Sequence, residues 1–351
     1  MPTKEEEPKR VLKKGYTTGV FTSMAFKCAL ESFLVTNHTS YTITNKNDND
    51  DLDVTKGCEI IVTITDNLDE LKLNPHPHEP HILENDTNKV SIYAGLGIGV
   101  VTKKGLKVPP NFAAINPRPM QALEELFTKF TNNNSYLNLY CSVSVTDGEE
   151  IAKQTANGKV GVVGGISILG TKGIVKPVSS TAYIDSIATE IAFANSNGYE
   201  FLVFTLGNSA LKLARENYEE EQIIEVANFV YDAIEIAYKE KVKNVLFLCG
   251  IGKMTKVYQG FKNTHNRFGS IDFIKVQKDI KEELNYTVDI ESTKTVKGIS
   301  IELEKVDIKL LDDLYTMIAR KANDQIKEWF EGIKVEAVIL EQSEASIYFN
   351  K

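Results

Sequence analysis

The sequence predicts two folded regions in one chain: an α+β region over residues 11–178 and a Rossmann-like α/β region over residues 179–351. Three observations carry this reading. At 351 residues the chain is longer than a single hydrophobic core usually serves. Its first half mixes short strands and amphipathic helices in no repeating order, the pattern of an α+β domain. Beyond Ser179, continuous apolar runs alternate with amphipathic helices, as they do when parallel strands are buried on both faces.

The elements follow in order. Residues 1–10 are charged and contain two prolines, so they read as a tail. Phe21, Met24, Ala25, Cys28, Ala29, Ser32 and Phe33 fall on one stripe at helical spacing, which predicts a helix over 19–35 with Thr17 and Thr18 at its N-cap. Strands are expected at 40–44, 59–65 and 90–94, a helix at 118–130, and an alternating strand at 136–146 that ends in the turn pair Asp147-Gly148. The polar stretch 66–89 carries three prolines and reads as a long surface loop. Its histidines His76, His78 and His81 are proline-interrupted, which favours solvated loop residues over a metal site. In the second region Ile184, Ile187, Ala188, Ile191 and Ala192 define a helix, followed by a strand at 201–205 and a helix at 221–239. A strand at 245–248, a long helix at 310–331 and a strand at 335–340 complete the pattern.

Charge and cysteine content exclude some functions. Forty basic against 48 acidic residues give a net charge of −8, which argues against a general nucleic-acid surface. A polyanionic ligand would need a local basic site, for which Lys13, Lys14, Lys103, Lys104, Arg118, Lys172 and Lys176 are candidates. Cys28, Cys58, Cys141 and Cys249 form no C-x-x-C pair, so they read as small buried apolar residues rather than disulfide or zinc ligands, and no resident metal is expected. The opening M-P-T-K-E-E-E-P-K-R is unlike a secretory signal and no apolar run reaches membrane-spanning length, so a cytoplasmic protein without a membrane partner is expected.

Glycine marks the chemistry. The run G-V-V-G-G-I-S-I-L-G-T-K-G-I-V-K-P from Gly161 to Pro177 places five glycines among β-branched residues, a composition that suits tight turns or close approach of a ligand. Gly95-x-Gly97-x-Gly99 follows a strand but precedes V-V-T-K-K-G-L-K-V-P-P, which is no helix, so the common methyltransferase glycine motif is rejected there. G-Y-T-T-G at 15–19 stands before a helix, where free N–H groups can hold an anion. Thr205-Leu-Gly-Asn208 closes a strand at the position where α/β domains bind ligands. Gly164-Gly-Ile-Ser167 does not complete a nucleophile elbow, because Leu169 occupies its last glycine position.

Four blocks in one order resemble the CbiD family: G-Y-T-T-G at 15–19, D-D-L-D-V-T-K-G at 50–57, A-G-L-G-I-G-V-V-T-K-K-G-L to A-I-N-P at 94–117, and the stretch from Gly148 to Pro177. The resemblance implies a cobalt-precorrin-5B C(1)-methyltransferase with S-adenosyl-L-methionine as methyl donor and a tetrapyrrole substrate. It also implies an α+β domain followed by a Rossmann-like one. On these blocks the cofactor candidates are Gly95, Gly97, Gly99, Gly164, Gly165, Ser167, Gly170, Thr171, Gly207 and Asn208. Substrate candidates are Thr17, Thr18, Asn116, Lys172 and Lys253, and Asp51, Asp53 and His265 are the candidates for proton transfer. The chain departs from the family pattern at Lys56 and Gly250, where histidine is usual, at Leu206 for proline, and at Ser270 and Asp272. A paralogue that binds tetrapyrroles without methylating them is the alternative these departures raise. A homo-oligomer is compatible with the sequence.

Overall fold

A computed structural model of the protein describes residues 13–47, 53–85, 87–134, 136–170, 173–175, 180–340 and 347–348. Asp51, Thr171, Lys172 and Lys176, singled out above, lie outside the described residues. The chain divides into two compact units, Met1–Ser180 and Thr181–Lys351.

The first unit is built on a five-stranded sheet in the order Ser40–Asn45, Glu59–Thr65, Asn138–Val145, Asn88–Ala94, His81–Asn85. Its pairs are antiparallel except Asn88–Ala94 with Asn138–Val145, which run parallel. Alternation along Glu59–Thr65 puts Ile60, Val62 and Ile64 in one core with Phe26, Ala29 and Leu30 of the helix Thr18–Thr36. Fully burying each large side chain of this set stabilises by about 1.5–3 kcal/mol before entropy is counted. A second helix, Pro117–Thr131, adds Leu123 and Phe127 to the same core and begins on Pro117, where a missing N–H costs no bond.

Several expectations change here. The buried stripe of Thr18–Thr36 runs through Phe26 and Leu30, which rotates Met24 and Cys28 outward. Cys28 is therefore exposed, while Cys58, Cys141 and Cys249 are buried. This helix also meets the length and hydropathy of a membrane span, although half of that window is buried inside the protein. Lys27 and Glu31 interrupt the run in sequence. The expected 66–89 loop stops at His81, because His81–Asn85 pairs as an edge strand. Only Leu83 of that strand is fully buried, too little alternation to read.

The second unit has the strand order Ile223–Glu225, Phe201–Leu206, Asn244–Gly250, Lys334–Leu340, Ile347–Tyr348, with the first four parallel and the last antiparallel. Val203, Leu246, Leu248 and Val338 pack on one face with Ala210 and Ala214 of the helix Asn208–Asn217. Leu202, Phe204, Val245 and Phe247 pack on the other with the helices Val230–Lys239, Ile251–Tyr258, Val296–Val306 and Ile308–Trp329. The helix expected at 221–239 is in fact a 3₁₀ turn Glu220–Gln222, the strand Ile223–Glu225 and a helix that starts only at Val230. Three residues of edge strand offer no alternation to recognise. Likewise the expected 310–331 helix is Ile308–Trp329, whose N-cap Asp307 accepts from the Lys309 N–H.

Candidate functional site

In the first unit the glycine-rich run acts as a spine on which other blocks pair in turn. Val162–Val163 pairs with Val100–Val101, and Gly165–Ile166 pairs with Gly97–Ile98. Ile168 then bridges Ile115 and accepts from the Asn116 N–H at 2.9 Å. Leu169 takes the Gly19 N–H at 3.1 Å and exchanges hydrogen bonds with the Thr18 hydroxyl. Gly173 accepts from the Thr17 N–H, and Ile174–Val175 pairs with Gly15–Tyr16. Motifs more than 150 positions apart thus meet through backbone bonds, which a sequence cannot display.

Most glycines here are required by the protein's own packing. A Cβ on Gly97 would come within 2.1 Å of the Val145 carbonyl oxygen, one on Gly95 within 2.0 Å of Ser144 Oγ, and one on Gly99 within 2.3 Å of Val162 Cγ1. A Cβ on Gly165 would meet the Gly97 carbonyl at 2.2 Å, and one on Gly164 would meet Asn74 Nδ2 at 2.5 Å. Ser167 Oγ is hydrogen-bonded to Asn157 Oδ1 at 3.3 Å. At these positions the space left by a missing side chain is already filled with protein.

Where the spine meets the start of Thr18–Thr36, a groove of about 460 Å³ opens between that helix and Pro117–Thr131. Thr17, Gly19, Lys27, Arg118 and Gly170 line it, with Val20, Met24 and Leu126 as apolar wall. Thr17 is 8% exposed and its Oγ1 has no partner; it is the N-cap residue, yet its side chain makes no cap bond. Gly170 makes room for it, since a Cβ there would come within 2.2 Å of that oxygen. Asn116, the N-cap residue of Pro117–Thr131, also makes no side-chain cap bond. The basic groups of the groove have local partners, Arg118 donating to Gln121 Oε1 at 2.7 Å and Lys27 lying 3.9 Å from Glu31.

Asp53 is taken up structurally. It pairs with Lys46, whose side chain is 1% exposed, and accepts from the N–H and hydroxyl of Thr55. Burial alone would raise its carboxyl, but the hydrogen bonds from Lys46 and Thr55 overcome this and hold it below its ordinary value. The His78 ring is equally committed: Nδ1 donates to the His76 carbonyl and Nε2 accepts from the Ala94 N–H. His81 Nε2 bonds the Ala113 carbonyl at 2.9 Å.

The second unit offers a different kind of glycine. Gly207, at φ 101°, and Gly250 are the N-cap residues of Asn208–Asn217 and Ile251–Tyr258, and neither helix has a side-chain cap. A Cβ on Gly207, Gly250 or Gly252 would meet nothing within 4 Å. Thr205, two residues before Gly207 and 1% exposed, keeps an Oγ1 without a partner. Lys253 is spent within the unit, donating to Asn228 Oδ1 at 2.8 Å and the Thr264 carbonyl at 3.0 Å. Lys256 in the next turn donates to Asn266 Oδ1 and the Gly269 carbonyl. Burial lowers both ammonium groups, and for Lys253 the charge of Lys256 adds to it. Together they clip down the loop carrying His265, whose Nδ1 accepts from the Arg267 N–H.

The chain is similar to several known proteins. The family model CbiD matches residues 34–177. The chain is 33% identical over 302 residues to a cobalt-precorrin-5B C(1)-methyltransferase of Methanocaldococcus jannaschii, covering 83% of this chain and 76% of the relative. Proteins of the same name from Methanococcus aeolicus, 33% identical over 86% of this chain and 76% of theirs, and Methanosphaera stadtmanae, 32% over 89% and 78%, match similarly. Among solved structures, a cobalamin biosynthesis protein (cbiD) from Archaeoglobus fulgidus aligns with 73% of this chain and 83% of its own at 21% identity and a TM-score of 0.34. The relatives define a class of C-methyltransferases. Within that class, the chain belongs to the CbiD family.

Proposed function

We propose that the protein transfers a methyl group from S-adenosyl-L-methionine to C(1) of cobalt-precorrin-5B, giving cobalt-precorrin-6A in anaerobic cobalamin biosynthesis. The observation that carries the reading is kinship at one-third identity over 83% of the chain with an enzyme named for that reaction. The groove of the first unit has chemistry suited to an acceptor rich in carboxylates. Thr17 brings an unpartnered hydroxyl, Lys27 and Arg118 bring charge, and Val20, Met24 and Leu126 bring an apolar wall for a macrocycle. Thr18, 3% exposed and with its hydroxyl bonded to Leu169, shapes the groove from beneath, and Asn116, whose side chain makes no cap bond at the start of Pro117–Thr131, is a further candidate contact. The cobalt belongs to the substrate.

Parallel strands with helices on both faces support reading the second unit as Rossmann-like, with the methyl donor at Gly207 and Asn208. The residues there fit it: an orphaned Thr205 hydroxyl, uncapped helix starts and open space beside Gly207, Gly250 and Gly252. When bound, S-adenosyl-L-methionine supplies a methyl group on a cationic sulfur that an electron-rich ring carbon can take. The chain's own residues bind, orient and exclude water, effects that supply much of a barrier reduction without a covalent enzyme intermediate. In this reading Asp53, Lys253 and Lys256 are positioning residues. We read the protein as cytoplasmic.

An anaerobic assay with labelled donor and cobalt-precorrin-5B tests this, with product mass as readout and a Gly250→His variant alongside. A product heavier by one methyl group from the native protein is expected. Intact substrate recovered from both proteins would contradict the assignment and favour a tetrapyrrole-binding protein.

A further inference from the structure

The edge strand of the second unit ends on an acidic residue that none of the motifs contains. Glu225 closes Ile223–Glu225 and lies in register beside Thr205 of the neighbouring strand. It stands eighteen residues beyond Gly207, across one helix. The strand order sends the chain from Phe201–Leu206 to one edge and then back past it to Asn244–Gly250 on the other side. In open α/β sheets a ligand sits beyond the carboxyl ends of the strands at such a reversal, with a carboxylate at the tip of the next strand reaching the ribose.

Local contacts leave Glu225 able to do this. Its ion pair is with Arg215 at 4.0 Å, whereas Arg215 makes its short bonds to Glu220, at 2.9 and 3.0 Å. The Glu225 side chain is 54% exposed. Its backbone is fixed, because Tyr183 donates its hydroxyl to the Glu225 carbonyl at 3.2 Å while its ring lies 5.5 Å from Phe229. Thr205 alternates onto the face covered by Asn208–Asn217, as Val203 does, so its unpartnered hydroxyl lies by that helix's uncapped start.

We infer that Glu225 accepts hydrogen bonds from the ribose hydroxyls of the adenosyl donor, at a site completed by Thr205, Gly207 and the first N–H groups of Asn208–Asn217. This rests on the methyl-donor reading above. Two carboxylate oxygens match a vicinal diol, and a carboxylate acceptor binds it more strongly than a neutral one.

The test is calorimetric binding of S-adenosylhomocysteine and of its 2′-deoxy analogue to the full chain, native and Glu225→Gln. Native protein should prefer the ribose form by about tenfold or more. The variant should bind S-adenosylhomocysteine about tenfold more weakly, lose the preference and melt at the native temperature. Unchanged affinity or an undiminished preference in the variant would overturn the inference while leaving the donor reading intact. If the variant melts early, the native protein decides alone, and equal binding of both ligands overturns the inference. A native chain that binds neither ligand overturns the donor reading and this inference together.

Discussion

Each unit has a glycine-marked motif, but what surrounds the glycines differs between these two motifs. Around Gly95, Gly97, Gly99 and Gly165 the missing side chain is replaced within 2.0–2.3 Å by the protein's own atoms. Around Gly207, Gly250 and Gly252 it is replaced by nothing within 4 Å. The first set lets strands cross closely and so assembles a scaffold; the other leaves room at the ends of parallel strands. Glycine therefore marks close packing in the first of these motifs and an open approach to backbone in the second.

The sharpest way to break this contrast is Gly97→Ala. At φ 79° and with the Val145 carbonyl 2.1 Å from the new methyl, neither backbone can yield cheaply. Denaturant unfolding should show a loss of about 3 kcal/mol or more; native stability would mean the contacts are not needed.

Asp53→Asn comes next, because it leaves Lys46 buried and unpaired. Removing one partner of such a pair costs about 3 kcal/mol. The folded Asp53 carboxyl lies below its unfolded value of 3.8, so its stabilisation is present above that pH and fades as pH falls through the lower folded value. Native protein should lose stability on acidification below about pH 4 more steeply than the variant. Parallel acid-unfolding curves would contradict the pairing.

Gly252→Ala should do the reverse of Gly97→Ala. In a helix with open space beside it, alanine should raise stability by about 0.5–1 kcal/mol, while binding of S-adenosylhomocysteine weakens severalfold. A destabilised Gly252→Ala protein would erase the distinction between the two regions.

Local elements were legible where period and length were both strong. The strand expected at 59–65 is Glu59–Thr65, and the helix expected at 118–130 is Pro117–Thr131. Legibility failed where an element was short or where distant segments decided the outcome. Ile223–Glu225 was hidden inside a run of helix-favouring Glu and Gln, and with it went Glu225. Gly95, Gly97 and Gly99 stood out as a ligand loop, yet the atoms that fill their space come from residues 143–165. Asp53 read as available in sequence because its partner Lys46 stands outside the motif that carries it. The strand-to-helix turn at Gly207 and Asn208, by contrast, was legible, since a strand end followed by glycine is a local signal.

Hydrogen exchange of the full chain with and without S-adenosylhomocysteine decides which of the two kinds of glycine meets the donor. New protection is expected at the turns after Phe201–Leu206 and Asn244–Gly250 and at the tip of Ile223–Glu225, with residues 95–101 and 161–170 unchanged. Protection confined to those glycine-rich segments of the first unit would contradict the assignment of the donor to the open glycines.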